Sequence, residues 1–177
     1  FRGDTIHPST LEVMHELGIL EDLLRLPHEK APRLRAQFGD LALTVADFST
    51  LPVHCPYIAF MPQWDFLNFL AKHGERYPTF KLRMRAEVIG LIEENGCVVG
   101  LRATMPDGPL DVRADLVVGA DGRHSAVREK AGLQVEESGA PMDVLWFRLS
   151  RQTGDPSDPM GRFDAGRIFI MLNRGDY

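Results

Sequence analysis

The stretch Leu116-Val117-Val118-Gly119-Ala120-Asp121-Gly122-Arg123-His124-Ser125-Ala126-Val127-Arg128 holds the residues whose types and order best suit chemistry. Its short continuous apolar run, Leu116 to Ala120, is typical of a strand buried on both faces. An Asp-Gly pair then makes a tight turn, and a helix starts at a Ser cap with Arg128 one turn in. That order puts Asp121 and Gly122 at the carboxyl end of a parallel strand, where open α/β sheets bind ligands. Gly122 lets the backbone approach a ligand closely, and the helix beyond it offers free amides. The plain alternative is an ordinary βα loop closed by an Asp-Gly turn.

Other candidates are weaker. The six histidines (His7, His15, His28, His54, His73, His124) show no convincing metal-ligand spacing with one another, or with Cys55 and Cys97. His54-Cys55 has the types of a nucleophile pair, but adjacent residues on an extended chain point to opposite sides, so a structural role is expected. His7 beside a helix start and His15 at a core edge also read as structural, and His124 as solvent-facing. Arg2-Gly3-Asp4 spells an adhesion tripeptide, a three-residue match with little information.

The elements that must position the Asp-Gly turn are legible as patterns. Ser9-Thr10-Leu11-Glu12 fits a capping box, with Leu11, Met14, His15 and Gly18 on one side of a helix and Gly18 as its stop. A second helix is expected over Leu20 to Leu26, before Pro27. Strands should flank Gly39-Asp40, and Tyr57 to Met61 should lead through Pro62 into a helix from Gln63 to about Arg76. Trp64, Leu67, Leu70 and Ala71 give that helix an expected buried stripe. Phe80 to Met84 is a strand candidate. Asn95-Gly96 and Asp107-Gly108 then mark two hairpins, which predict a three-stranded meander over Glu87–Glu93, Val98–Met105 and Leu110–Ala114. The helix after the Asp-Gly turn should run from near Ser125 to Gly132. Val144 to Ser150 and Arg167 to Leu172 read as strands around a loop from Thr153 to Gly166, and the first should set Trp146 on one face with Val144 and Arg148.

Composition bounds the function. The chain has 177 residues, with 20 Lys+Arg against 25 Asp+Glu and a net charge of −5, which disfavours nucleic acid as a partner. Hydrophobic residues at 44% and charged residues at 25% are those of a globular chain. Two cysteines make no disulfide framework, and no apolar run approaches the roughly 20 residues of a membrane span, so a cytoplasmic setting is expected. Starting at Phe1 and stopping at Tyr177, the chain reads as a piece of something longer.

The apolar run followed by Asp-Gly-x-x-Ser-x-x-Arg resembles the second fingerprint of flavoprotein monooxygenases of the p-hydroxybenzoate hydroxylase type. Arg2-Gly3-Asp4-Thr5-Ile6-His7-Pro8-Ser9-Thr10-Leu11 is similar to the segment of these enzymes where an arginine contacts the flavin. Gln63, with Leu67 and Leu70, resembles a helix whose glutamine also touches the cofactor. The resemblance implies FAD as cofactor, NADPH or NADH as reductant, O2 and a small aromatic substrate, with hydroxylation through a flavin C4a-hydroperoxide. It places Arg2 near the ribityl or isoalloxazine side and Gln63 at the ribityl or phosphate region. It sets Asp121 and Gly122 by the ribityl-pyrophosphate stretch, Arg128 as a brace of the turn or a help to NADPH, and the Val88 backbone at adenine.

The implied fold is α/β (α+β overall): part of a glutathione-reductase-like FAD-binding fold with a β-meander, followed by the start of an antiparallel-sheet substrate domain. Residues 1–140 would belong to the flavin domain, with some substrate-domain strands near 34–61, and 141–177 to the substrate domain. Gly-x-Gly-x-x-Gly and the later Gly-Asp motif of the family are missing from the chain. That predicts unpaired sheet edges, uncovered apolar surface and poor FAD binding by this piece alone. A reductase or halogenase of the same fold and a truncated non-catalytic module are the competing readings. A Trp-x-Trp-x-x-Trp-x-Ile stretch, expected of a halogenase, does not occur.

Overall fold

A computed structural model describes residues 4–136, 139, 143–155 and 159–172. In chain order the elements are β1 (Thr5–Ile6), α1 (Pro8–Glu16), α2 (Leu20–Leu23), β2 (Glu29–Ala31), β3 (Arg33–Phe38), β4 (Leu41–Asp47), β5 (Ile58–Phe60), α3 (Gln63–Gly74), β6 (Glu87–Glu94), β7 (Cys97–Met105), β8 (Gly108–Arg113), α4 (Ala126–Lys130), β9 (Met160–Asp164) and β10 (Arg167–Met171). This is a mixed α+β fold. It divides into two compact units, Phe1–Phe80 with Leu145–Tyr177, and Lys81–Val144.

In the first unit, β5 lies between β1 and β2, antiparallel to both. α1 begins at Pro8, not at a Ser9 cap: His7 is the N-cap, and no side chain caps the helix. Proline suits this position because its fixed φ is helical and its missing N–H would have had no partner. Glu12 is thereby freed from the expected capping box, and its carboxylate accepts instead from His54, through Nδ1 at 2.8 Å and the backbone N–H at 3.2 Å. The helix stops in a Schellman motif: Gly18, at φ +68, donates to His15 O, and Ile19 donates to Met14 O. α2 ends at Leu23, short of the expected Leu26, whose amide closes one further turn on Leu23 O.

Leu11 and Met14 of α1, Leu20 and Leu23 of α2, Ala59 of β5 and Met61 form the core. α3 presents Phe66, Phe69 and Leu70 to this cluster and buries His73, while Trp64 is 67% exposed and Leu67 faces solvent. Of the expected stripe, Leu70 packs on the core and Trp64 and Leu67 do not. Both sets have helical spacing, and the core, not the periodicity, selects the face.

The second sheet of this unit has the order β10-β9-β3-β4, with β3 parallel to β9 and the other neighbours antiparallel. The β3–β4 hairpin turns at Gly39-Asp40, as its sequence indicates, with Gly39 at φ +58. Cross-strand register gives the sheet two chemically different faces. One carries the rows Leu41–Phe38–Phe163–Ile168 and Leu43–Ala36–Gly161–Ile170; the other carries Ala42–Gln37–Arg162–Phe169 and Thr44–Arg35–Met160–Met171. β9 falls inside the stretch expected to be a loop. Its sequence, Met-Gly-Arg-Phe-Asp, has no apolar alternation, and pairing with β3 and β10 makes it a strand. Val144 to Ser150 forms no strand, and Leu145 is 83% exposed. The alternating placement expected for Trp146 and Arg148 does not arise.

The second unit is built on the predicted meander β6-β7-β8. Asn95 and Gly96, at φ +52 and +77, make the first turn, and Ile92 and Ala103 are its buried side chains. α4 lies against β6. Phe80 to Met84 is not a strand, and neither is Leu116 to Ala120, where Leu116 is 77% and Val118 75% exposed. An apolar run becomes a buried strand only when neighbours supply its hydrogen-bond ladder, and none of the described residues does so here. Among the described residues no helix is long and apolar enough to cross a membrane.

Candidate functional site

The Asp-Gly turn and α4 form one hydrogen-bonded device. Ser125 is the N-cap: its Oγ accepts from the Arg128 amide at 3.0 Å and donates to Asp121 Oδ1. Asp121 Oδ2 accepts from the Val127 amide at 3.2 Å. The carboxylate therefore caps the helix from outside, with Ser125 as intermediary, and a negative charge there suits the helix N-terminus. Its pKa lies below the usual 3.8, chiefly because the Ser125 hydroxyl hydrogen-bonds the ionised form, with the amides of this turn adding to that.

Two glycines shape the approach. Gly122 takes φ +82, a left-handed conformation that suits glycine, and a Cβ there would meet nothing within 4 Å. At Gly119 a Cβ would sit 2.9 Å from Val127 Cβ and Cγ1, so only glycine lets the chain lie this close to α4. Arg128 turns back across the loop, and its guanidinium donates to Arg123 O at 2.5 Å. The helix stops at Gly132, at φ +70, as its spacing indicates.

The remaining candidates are spread out. Val88 is half-buried on β6 opposite Ala103 and shares the second unit with Asp121, Gly122 and Arg128. Gln63 belongs to the first unit, exposed at the first position of α3, where the N-cap Pro62 provides no capping side chain. Arg2 lies outside the described residues. Cys55 is buried and Cys97 exposed, and both are free thiols. His54 is directed to Glu12, and its ring stacks on His15 with centroids 3.5 Å apart. That cluster was not anticipated, because its members are 42 residues apart in sequence and only the fold joins Glu12 to His54. A cavity of about 550 Å³ bordered by Asp22, Phe69, Lys72, His73 and Arg76 was likewise unanticipated.

A family model for the FAD binding domain matches residues 1–176. The chain belongs to that family. This FAD-binding-family chain is 32% identical over 151 residues to 6-methylpretetramide 4-monooxygenase of Streptomyces rimosus, an alignment covering 85% of the chain and 36% of that enzyme. It is 25% identical over 184 aligned positions to a probable NADH-specific resorcinol 4-hydroxylase of Rhodococcus jostii, covering 95% of the chain and 34% of that protein. In fold it is similar to a variant of PqsL from Pseudomonas aeruginosa, with a TM-score of 0.77 at 18% identity over 96% of the chain and 46% of PqsL. The chain thus spans about a third of the length of these curated relatives.

The residues present fit FAD in kind. The open side of Gly122 leaves the backbone approachable, and the exposed carboxylate of Asp121 can accept from a sugar hydroxyl. Within the first unit, Gln63 is an exposed carboxamide able to donate and accept, at a helix end whose first amides favour an anionic group.

Proposed function

We propose that the protein is an FAD-dependent monooxygenase that hydroxylates an aromatic or polycyclic small molecule, with NADPH or NADH as reductant and O2 as co-substrate. The observation that carries this reading is the family match over residues 1–176. The monooxygenase and hydroxylase names of the relatives support it. When bound, FAD supplies the transfer of electrons to oxygen and the insertion of one oxygen atom into the ring.

The chain's own residues bind and orient. Asp121 and Gly122 flank the ribityl-pyrophosphate stretch, with the carboxylate fixed beforehand by Ser125 and Val127. Arg128 holds the turn in shape through Arg123 O. Gln63 hydrogen-bonds the ribityl or phosphate region, Arg2 contacts the flavin, and the Val88 backbone meets adenine. In this reading residues 1–140 contribute to the flavin domain, with strands near 34–61 and residues 141–177 contributing to the substrate domain. The cytoplasm is the setting, consistent with two unpaired thiols.

The test uses the full-length protein. Purified, it is expected to be yellow with a bound-flavin absorbance band, and to oxidise NADH or NADPH faster when a phenolic substrate is added. Asp121→Ala should lower its flavin content or slow flavin reduction. A full-length protein that carries Gly-x-Gly-x-x-Gly upstream yet binds no FAD rejects the assignment. Unchanged content and unchanged reduction in Asp121→Ala reject the role given to that residue.

A further inference from the structure

We infer that the cleft between α2 and the C-terminal half of α3 is a second small-molecule site, which takes an aromatic carboxylate with its charge on Lys72 and Arg76. This site is separate from the flavin. Gln63, proposed to contact the flavin, begins α3, and His73 lies about 15 Å further along the helix axis. A ligand held by Lys72 and Arg76 is therefore at the other end of α3.

The cleft holds about 550 Å³, a volume typical of small-molecule pockets. Leu26 and Pro27, just after α2, form one wall. The other is one face of α3 and the turn after it, with Phe69, Lys72, His73 and Arg76 at helical spacing. Leu26, Pro27 and the Phe69 ring give an apolar lining suited to a flat ring. His73 is 8% exposed, with its ring centroid 4.2 Å from that of Phe69. Its Nδ1 is buried and has no hydrogen-bond partner among the described residues. An apolar side chain would fill that place and leave no ring nitrogen unpartnered, so packing does not account for an imidazole there.

The charges at this end decide the sign of the ligand. Asp22 is already engaged: Oδ1 accepts from Arg25 at 2.8 Å, and Oδ2 faces His73 Nε2 at 3.9 Å and an Arg76 nitrogen at 4.0 Å. Lys72 makes no ion pair or hydrogen bond among the described residues. Asp65, the other acid of the cleft, is about 10 Å from Lys72 along the helix. Arg25, Lys72 and Arg76 thus gather around a single carboxylate, and like charges one helical turn apart repel. A bound carboxylate relieves that repulsion and accepts charge-assisted hydrogen bonds from Lys72 and Arg76. A cationic ligand would add to the repulsion.

The test titrates the full-length protein with 1-naphthoate, followed by its fluorescence, beside neutral 1-naphthamide and cationic 1-naphthylmethylammonium. The variants are Lys72→Gln, Arg76→Gln, the two combined, Asp22→Asn, and Lys81→Gln as an exposed cation outside the cleft. Lys72→Gln and Arg76→Gln are each expected to weaken naphthoate binding about fivefold, the upper range for a partly exposed ion pair, and the double variant more than about tenfold. Asp22→Asn should tighten it, Lys81→Gln should match wild type, and naphthamide should bind all of them alike. Naphthoate should also slow hydrogen exchange over 22–28 and 65–76, which locates the site even if aromatic acids bind elsewhere on the protein. The inference is overturned if wild type binds no naphthoate, if the double variant binds it as wild type does, or if naphthamide suffers the same losses. Tighter binding of the ammonium, or unaltered exchange over those two segments, overturns it equally. Flavin content should be that of wild type in every variant, so a failure of the flavin reading is seen separately from a failure of this one.

Discussion

Ser125→Ala separates two jobs that Asp121 could perform. The substitution removes one hydroxyl and with it two hydrogen bonds, the one from the Arg128 amide at 3.0 Å and the one to Asp121 Oδ1. Ser125 is only 7% exposed, so water does not simply replace the hydroxyl. Loss of a serine N-cap costs about 1 kcal/mol. Asp121 is exposed and rehydrates, so little is added on its side. If the turn must be formed for flavin to bind, that local loss weakens FAD affinity by at most about fivefold, at 1.4 kcal/mol per decade. Asp121→Ala removes the same bond, the Val127 contact and the carboxylate itself. If the carboxylate touches FAD, it should weaken binding roughly tenfold beyond Ser125→Ala. The assay is titration of full-length apoprotein with FAD, followed by quenching of flavin fluorescence. Equal losses in the two variants would refute the contact role and leave Asp121 as a helix cap and nothing more.

Three further outcomes follow from the geometry. Gly100→Ala would set a Cβ 2.2 Å from the Val112 carbonyl oxygen and 3.0 Å from Arg113 Cα, against backbone that cannot rotate away. It should destabilise the meander by about 1–3 kcal/mol or more in urea unfolding, and a midpoint equal to wild type would contradict the close β7–β8 approach. Asp47 has its pKa lowered from 3.8 to about 2, first by the Ser49 hydroxyl and then by Arg33. A depressed folded value means its contribution is complete above about pH 4 and lost as pH falls toward 2. Asp47→Asn should therefore make acid opening of the β3–β4 hairpin, read by hydrogen exchange, less steep in that window only. A thiol reagent should label Cys97 quickly and Cys55 only on unfolding, and rapid labelling of both would place Cys55 outside the core.

The legible parts of this fold share one property: their structure is decided within a few residues. The Asn95-Gly96 and Gly39-Asp40 turns, the Schellman stop at Gly18 and the Ser125 cap all need particular backbone angles or one side-chain oxygen, and the residue types announce them. The misreadings share the opposite property. Trp64 and Phe66 both lie on helical stripes, and only the position of Leu11, Leu23 and Met61 decides which is buried. β9 is a strand because β3 and β10 flank it, not because its own residues alternate. Leu116 to Ala120 is the same lesson with the sign reversed, since it has the composition of a buried strand and no ladder among the described residues. The candidate site divides along this line too. Asp121, Gly122, Ser125 and Arg128 sit within eight residues and were readable as a unit. Whether Gln63 or Val88 reaches the same ligand depends on how separate elements are assembled, which no local pattern encodes. The two-faced sheet belongs with the second group: its apolar face comes from strands more than a hundred residues apart, and it emerges only once β3 is paired with β9. Long-range pairing is therefore what local patterns in this chain leave unannounced, while the turn before α4 is written in the residues that form it.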